Sequence, residues 1–194
     1  MKRKRKKIKW IKWSVANLNP MVKDRWGDLP IHHAAKRGHI ERVKTLLVAY
    51  KDGATVQDNY GRLPLHLAAE NGYFECVEAL VEAYEESAKV KDDFGFLPLH
   101  NVAHEGNFDC LNILLKAYKE GAAVKDNYGN LPLHKAVYQG HSKCANALLK
   151  VYKEGVKIKN DNGFLPIHKA IQYMDIECIK VVLKSSDYFG LFEN

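Results

Sequence analysis

Two ladders of chemically capable side chains run through the sequence. His32, His66, His100, His134 and His168 fall 34 residues apart, and Cys76, Cys110, Cys144 and Cys178 keep the same interval. Imidazoles and thiolates are the usual zinc ligands and common acid–base or nucleophilic groups. Neither ladder has the form that such chemistry requires. Catalysis tunes one group against an unlike neighbour, and five equivalent histidines in five equivalent settings cannot be tuned apart. His100 and His104 lie four apart on one helix face, as in some zinc sites, but no third ligand stands at a diagnostic spacing. The cysteines form no C-x-x-C pair. Adjacent helices pack about 8–10 Å apart, beyond the reach of about 7 Å between Cα atoms for a disulfide. They read as small buried apolar residues. No phosphate-cradling glycine loop, nucleophile elbow or H-E-x-x-H is present. The expectation is no catalytic residue, no metal and no cofactor.

What positions the ladders is a repeat. The stretches beginning at Asp58 and Asp126 align without a gap, identical at 17 of 34 positions. A fixed period of this size marks an array of stacked units. Each unit opens on Asp-x-x-Gly (Asp24 to Gly27, Asp58 to Gly61, Asp92 to Gly95, Asp126 to Gly129), the residues a tight turn prefers at its first and fourth positions. Leu-Pro-Leu/Ile-His follows, with Pro30, Pro64, Pro98, Pro132 and Pro166 suited to a first helical position. A short helix comes next, with small residues such as Ala34, Ala35, Ala68 and Ala69 on its packing side. Gly38, Gly72, Gly106 and Gly140 stop it, because the left-handed cap is nearly free for glycine. A second helix, about Phe74 to Tyr84 and its equivalents, carries apolar residues at helical spacing. Gly53, Gly121 and Gly155 are read as its ends, with Ser87 in that place in the second unit. Neither helix is long enough to hold alone, so stability comes from stacking neighbours.

Turn, Leu-Pro-Leu-His, small-residue helix, glycine, second helix: this order resembles the ankyrin repeat over Asp24 to about Lys184. The resemblance implies an all-α fold, an ankyrin-repeat solenoid of helix-turn-helix pairs with β-turn fingers, stacked right-handed. Units are expected at 24–57, 58–91, 92–125 and 126–159, with a C-terminal capping unit at 160–194. Residues 8–23 read as a degenerate N-terminal capping half-repeat and 1–7 as a basic, disordered tail. Two features depart from the family. Leu29, Leu63, Leu97, Leu131 and Leu165 stand where a capping Thr is usual, and are expected to contribute packing. The period is one residue longer than usual, with the extra residue near segments such as Ala117 to Gly121. In the last unit Asn160 replaces the turn Asp, Met174 the glycine and Ser186 the tyrosine of the Tyr50, Tyr84, Tyr118, Tyr152 ladder. Tyr188, Phe189, Leu191 and Phe192 make an apolar tail that folds back as a cap or marks a lost unit. The resemblance also implies that the ladder histidines hydrogen-bond the turn backbone.

By the same resemblance, partners contact the turn tips and first helices on the concave side. The residues that vary there are Trp26, Asp28, Tyr60, Arg62, Phe94, Phe96, Tyr128, Asn130 and Phe164 on the turns, with Lys36, Arg37, Glu70, His104 and Tyr138 on the helices. Trp26, Tyr60, Phe94 and Tyr128 form an aromatic stripe. It is either an interface, since aromatics and Arg are the usual hot spots, or finger-on-finger packing. Phe96, Phe164 and Arg62 do not recur and are better specificity candidates. Docking is expected on the middle units around Tyr60, Arg62, Phe94, Phe96 and Tyr128, and alanine at Phe96 and Arg62 is expected to abolish partner capture while leaving the thermal melt intact.

The charge is uneven. Eight of the positive charges behind the net +7 lie in the first thirteen residues, leaving −1 for the rest. The run Lys2, Arg3, Lys4, Arg5, Lys6, Lys7 reads as a nuclear address, a phosphate-neutralising nucleic-acid contact aided by Trp10 and Trp13, an anionic-lipid contact or a solvated tail; the first is preferred. No apolar run is long enough to cross a bilayer, and no apolar core follows the basic start as in a secretory signal. The expectation is a monomeric intracellular protein of the cytoplasm, the nucleus or both, with free thiols. Its expected function is that of a scaffold or binding module for another protein. The alternative is a nucleic-acid or anionic-membrane binder driven by the tail.

Overall fold

The computed structural model describes residues 19–185. The basic run, the half-repeat core proposed for residues 8–17, Ser186 and the apolar tail from Tyr188 lie outside them. Among the described residues ten α-helices run in pairs: α1 (Pro30–Lys36) with α2 (Ile40–Ala49), α3 (Pro64–Glu70) with α4 (Phe74–Ala83), α5 (Pro98–Glu105) with α6 (Phe108–Ala117), α7 (Pro132–Tyr138) with α8 (Ser142–Val151), and α9 (Pro166–Gln172) with α10 (Ile176–Ser185). No strand occurs among the described residues.

Each proline stands in the first turn of its helix behind a leucine in extended conformation. Leu29, Leu63, Leu97 and Leu131 are at most 2 % exposed, so they do contribute packing. The task of the absent capping hydroxyl passes to histidine. The Leu63 N–H donates to His66 Nδ1 (3.1 Å), and the same bond joins Leu29 to His32, Leu97 to His100, Leu131 to His134 and Leu165 to His168. Gly38, Gly72, Gly106 and Gly140 end the first helices at φ between +69° and +77°. Met174 takes the same left-handed place in the last unit at φ +55°, where a side chain is strained.

One expectation is corrected at the end of the second helices. They stop before Tyr50, Tyr84, Tyr118 and Tyr152, whose backbones leave the helical region with φ between −136° and −154°, and a 3₁₀ turn follows, such as Lys119–Ala123. Gly53, Gly121 and Gly155 lie inside these turns without positive φ. Their reason is space: a Cβ at Gly121 would stand 3.0 Å from the Tyr118 ring and 3.3 Å from Leu99. Ser87 fits by donating its hydroxyl to the Tyr84 carbonyl (2.6 Å). The 3₁₀ turn occupies the segment where the extra residue of the period was placed.

First helices pack on first helices and second on second all along the stack. The core is one continuous cluster running from Leu29 to Val182. Ala35, Ala68, Ala69, Ala103, Ala136 and Ala170 are fully buried at the close approach of the first helices. The four cysteines are buried and free. Burial pushes the Cys76 thiol up, Cys110 and Cys144 to about 11 and Cys178 to about 12, so they carry no thiolate at neutral pH. Among the described residues, no helix is long and apolar enough to cross a membrane.

Candidate functional site

The turn aspartate builds each finger. Asp58 Oδ1 accepts the N–H groups of Tyr60 (2.8 Å) and Arg62 (2.9 Å), and Asp24, Asp92, Asp126 and even Asn160 repeat the pattern. Fingers are tied to each other by main chain: the carbonyls of Trp26, Tyr60, Phe94 and Tyr128 accept the N–H of Asn59, Asp93, Asn127 and Asp161. The rings are left free of this work. Trp26, Tyr60, Phe94 and Tyr128 are 44–52 % exposed, and no pair of stripe rings stacks. The contacts that join finger to finger are main-chain hydrogen bonds, and about half of each stripe ring stays open to solvent.

In the first four units the ladder histidine is structural at both nitrogens. Since Nδ1 accepts from the leucine N–H, the proton is on Nε2, and His66 donates it to the Phe96 carbonyl of the next unit (3.1 Å). His32 donates to the Arg62 carbonyl, His100 to Asn130 and His134 to Phe164. A third proton-binding role is closed off, and burial pushes His32 down and His66, His100 and His134 to about 4. His104, four residues beyond His100, stands apart on the surface between Glu105 and Gln139, each 2.7 Å from one ring nitrogen. The two histidines share no ligand position.

A groove of about 420 Å³ opens over the second to fourth units. Of the residues expected to meet a partner it gathers Tyr60, Arg62, Glu70, Phe94, Phe96 and His104, and it adds Asp92, Asn101, Glu105 and Lys135. Asn101 and Lys135 occupy the position just after the ladder histidine, which varies between units as His33, Leu67, Asn101, Lys135 and Lys169; that variation was the available signal. Trp26, Tyr128, Tyr138 and Phe164 are exposed elsewhere along the same face, as are Lys36 and Arg37. Tyr138 meets Tyr173 edge-on, with ring centroids 5.7 Å apart.

Three expected contact residues prove to serve the fold. Asp28 is only 8 % exposed, so it offers no surface to a partner. Asn130 is half-buried and donates to the Asp126 carboxylate. Arg62 pairs through Nη2 with Asp58 Oδ2 (2.8 Å), whose side chain is wholly buried, and lies 4.9 Å over the Tyr60 ring. Removing it would strand a buried carboxylate, so cutting Arg62 back is expected to lower the melt, not to leave it intact.

The groove cations are engaged. Lys135 reaches Asp126 Oδ2 (3.0 Å) and covers Phe96 at 4.4 Å. Asp92 is different: no side chain donates to it, and burial raises its carboxyl above the usual range although the Phe96 and Phe94 N–H groups pull it down.

A family model for ankyrin repeats (3 copies) matches residues 3–92 and 83–158, most of the chain. The chain belongs to the ankyrin repeat family. No curated protein matches it. Ankyrin repeats are generally protein–protein interaction modules, and in this ankyrin stack the last pair of helices repeats the finger and capping geometry beyond the matched residues.

Proposed function

We propose that this chain is a non-enzymatic scaffold that binds another protein on the finger and first-helix face, centred on the groove over its second to fourth units. The single observation that carries the reading is that half-exposed Tyr60 and Phe94 wall an open groove without being needed to hold the fingers together. Such rings lose little by being covered and gain apolar burial on binding, about 25 cal/mol per Å² before the costs of association. Arg62 and Lys135 are already neutralised by Asp58 and Asp126, which leaves the exposed Glu70 to favour a partner surface that pairs aliphatic or aromatic side chains with basic ones.

The test is affinity capture with the full chain against the Tyr60→Ala/Phe94→Ala variant, Arg62 being retained. Loss of the captured partner with an unchanged melt is expected; the same partner held equally well refutes the site. A second arm removes residues 1–7. A scaffold of this kind keeps its partner at high salt without them, whereas a tail-driven binder would lose it.

A further inference from the structure

In the first four units one oxygen of the turn aspartate accepts two backbone N–H groups, and in the first, second and fourth its other oxygen meets a side chain four or nine residues further on. In the second unit Arg62 fills that space, with Nε and Nη2 both 2.8 Å from Asp58 Oδ2. In the fourth it is filled by Asn130 Nδ2 (3.2 Å) and Lys135 Nζ (3.0 Å) around Asp126 Oδ2. Both arrangements set donors against the carboxylate. The first unit adds a second acid.

There the residue four on is Asp28, an acceptor facing an acceptor, and the residue nine on is His33, whose Nε2 lies 2.9 Å from Asp24 Oδ2. Asp28 is 8 % exposed, and its Oδ1 is the one fully buried side-chain oxygen or nitrogen among the described residues that lacks a hydrogen-bond partner. Leaving such an atom bare is costly. One oxygen from each carboxylate and one imidazole nitrogen lie within 4.8 Å of one another.

We infer that Asp24, Asp28 and His33 form a binding site for a zinc-class divalent cation. Two carboxylates and an imidazole suit zinc, cobalt or nickel, whereas magnesium and calcium prefer all-oxygen shells. Bonds of about 2.0–2.1 Å put tetrahedral ligands roughly 3.3 Å apart, so the three donors need only draw in modestly. The ion takes the place of the hydrogen bond between His33 Nε2 and Asp24 Oδ2, and it gives the buried, under-partnered Asp28 carboxylate a ligand role. Asp24 and His33 remain partly open to solvent, which leaves the fourth position to water. The bound ion pins the first finger to α1, as Lys135 pins the fourth finger to α7. The spacing Asp-x3-Asp-x4-His matches no common metal motif, so the sequence carries no sign of it.

The experiment titrates zinc chloride into the full chain by calorimetry and follows the thermal melt with zinc, with magnesium, with calcium and with a chelator. One zinc per chain with a micromolar Kd is expected, with a melt raised by zinc alone. Asp28→Asn and His33→Leu are the informative variants, because Asn130 and Leu67 already occupy those positions in other units of this fold. Each is expected to melt cooperatively in chelator, to bind zinc at least tenfold more weakly and to lose the zinc-dependent shift. If the wild-type chain binds no zinc, if both variants bind it unchanged, or if calcium or magnesium raises the melt as zinc does, the assignment is overturned.

Discussion

Taking the protein from pH 7 to pH 5 tests the histidine ladder most directly. His66, His100 and His134 are buried with both ring nitrogens engaged, and burial holds them at about 4. In the unfolded chain the same rings titrate near 6.5. The folded values are depressed, so between the two the unfolded state binds more protons and stability rises with pH. The contribution is fully present above the unfolded value and is lost as pH falls towards the folded one. At pH 5 the unfolded chain gains about 2 kcal/mol from each ring, roughly 6 kcal/mol from the three. That is comparable with the total stability of a domain, about 5–15 kcal/mol. His32 is shifted the same way. Asp92, raised by burial, works in the opposite sense as a single group. Urea unfolding at pH 7, 6 and 5, followed by far-ultraviolet dichroism, should show the midpoint falling steeply over this range. Proton NMR of the imidazoles supplies the microscopic check. A midpoint that holds from pH 7 to pH 5, or native-state rings titrating near 6.5, would refute the reasoning.

Arg62→Ala is expected to cost roughly 3 kcal/mol in urea unfolding, since it leaves the buried Asp58 with backbone donors only; a loss below about 1 kcal/mol would show that the pair is dispensable. Met174→Gly removes a side chain from a left-handed backbone position and is expected to stabilise by about 1 kcal/mol, read as a raised urea midpoint. An aromatic disulfide reagent should leave Cys76, Cys110, Cys144 and Cys178 unmodified in the native state and label all four once urea unfolds the chain; prompt native labelling would contradict their burial.

The sequence by itself determined the period, the finger turns, the proline starts and glycine stops of the first helices, and the burial of the leucine and cysteine ladders. These are local choices repeated at a fixed interval, and each needs only its own segment and the equivalent segment of a neighbour. It also marked Tyr60 and Phe94 as exposed aromatics of one face. The tertiary structure decided what the variable positions do. Asp28, Arg62 and Asn130 look alike in an alignment of the units, as changeable surface residues, yet the curl of the finger turns each towards the turn aspartate. The meeting is an ion pair for Arg62, an amide–carboxylate hydrogen bond for Asn130 and two facing acids for Asp28, joined nine positions from the aspartate by Lys135 in the fourth unit and His33 in the first. The resemblance implied that the ladder imidazoles bond turn backbone, as they do, but which carbonyl each one meets was not legible in the spacing, because His66 spends its second nitrogen on a carbonyl thirty residues away, in the next unit. Spacing along the chain fixes a backbone conformation; which donor meets which acceptor across a stack is fixed only when neighbouring units are set side by side.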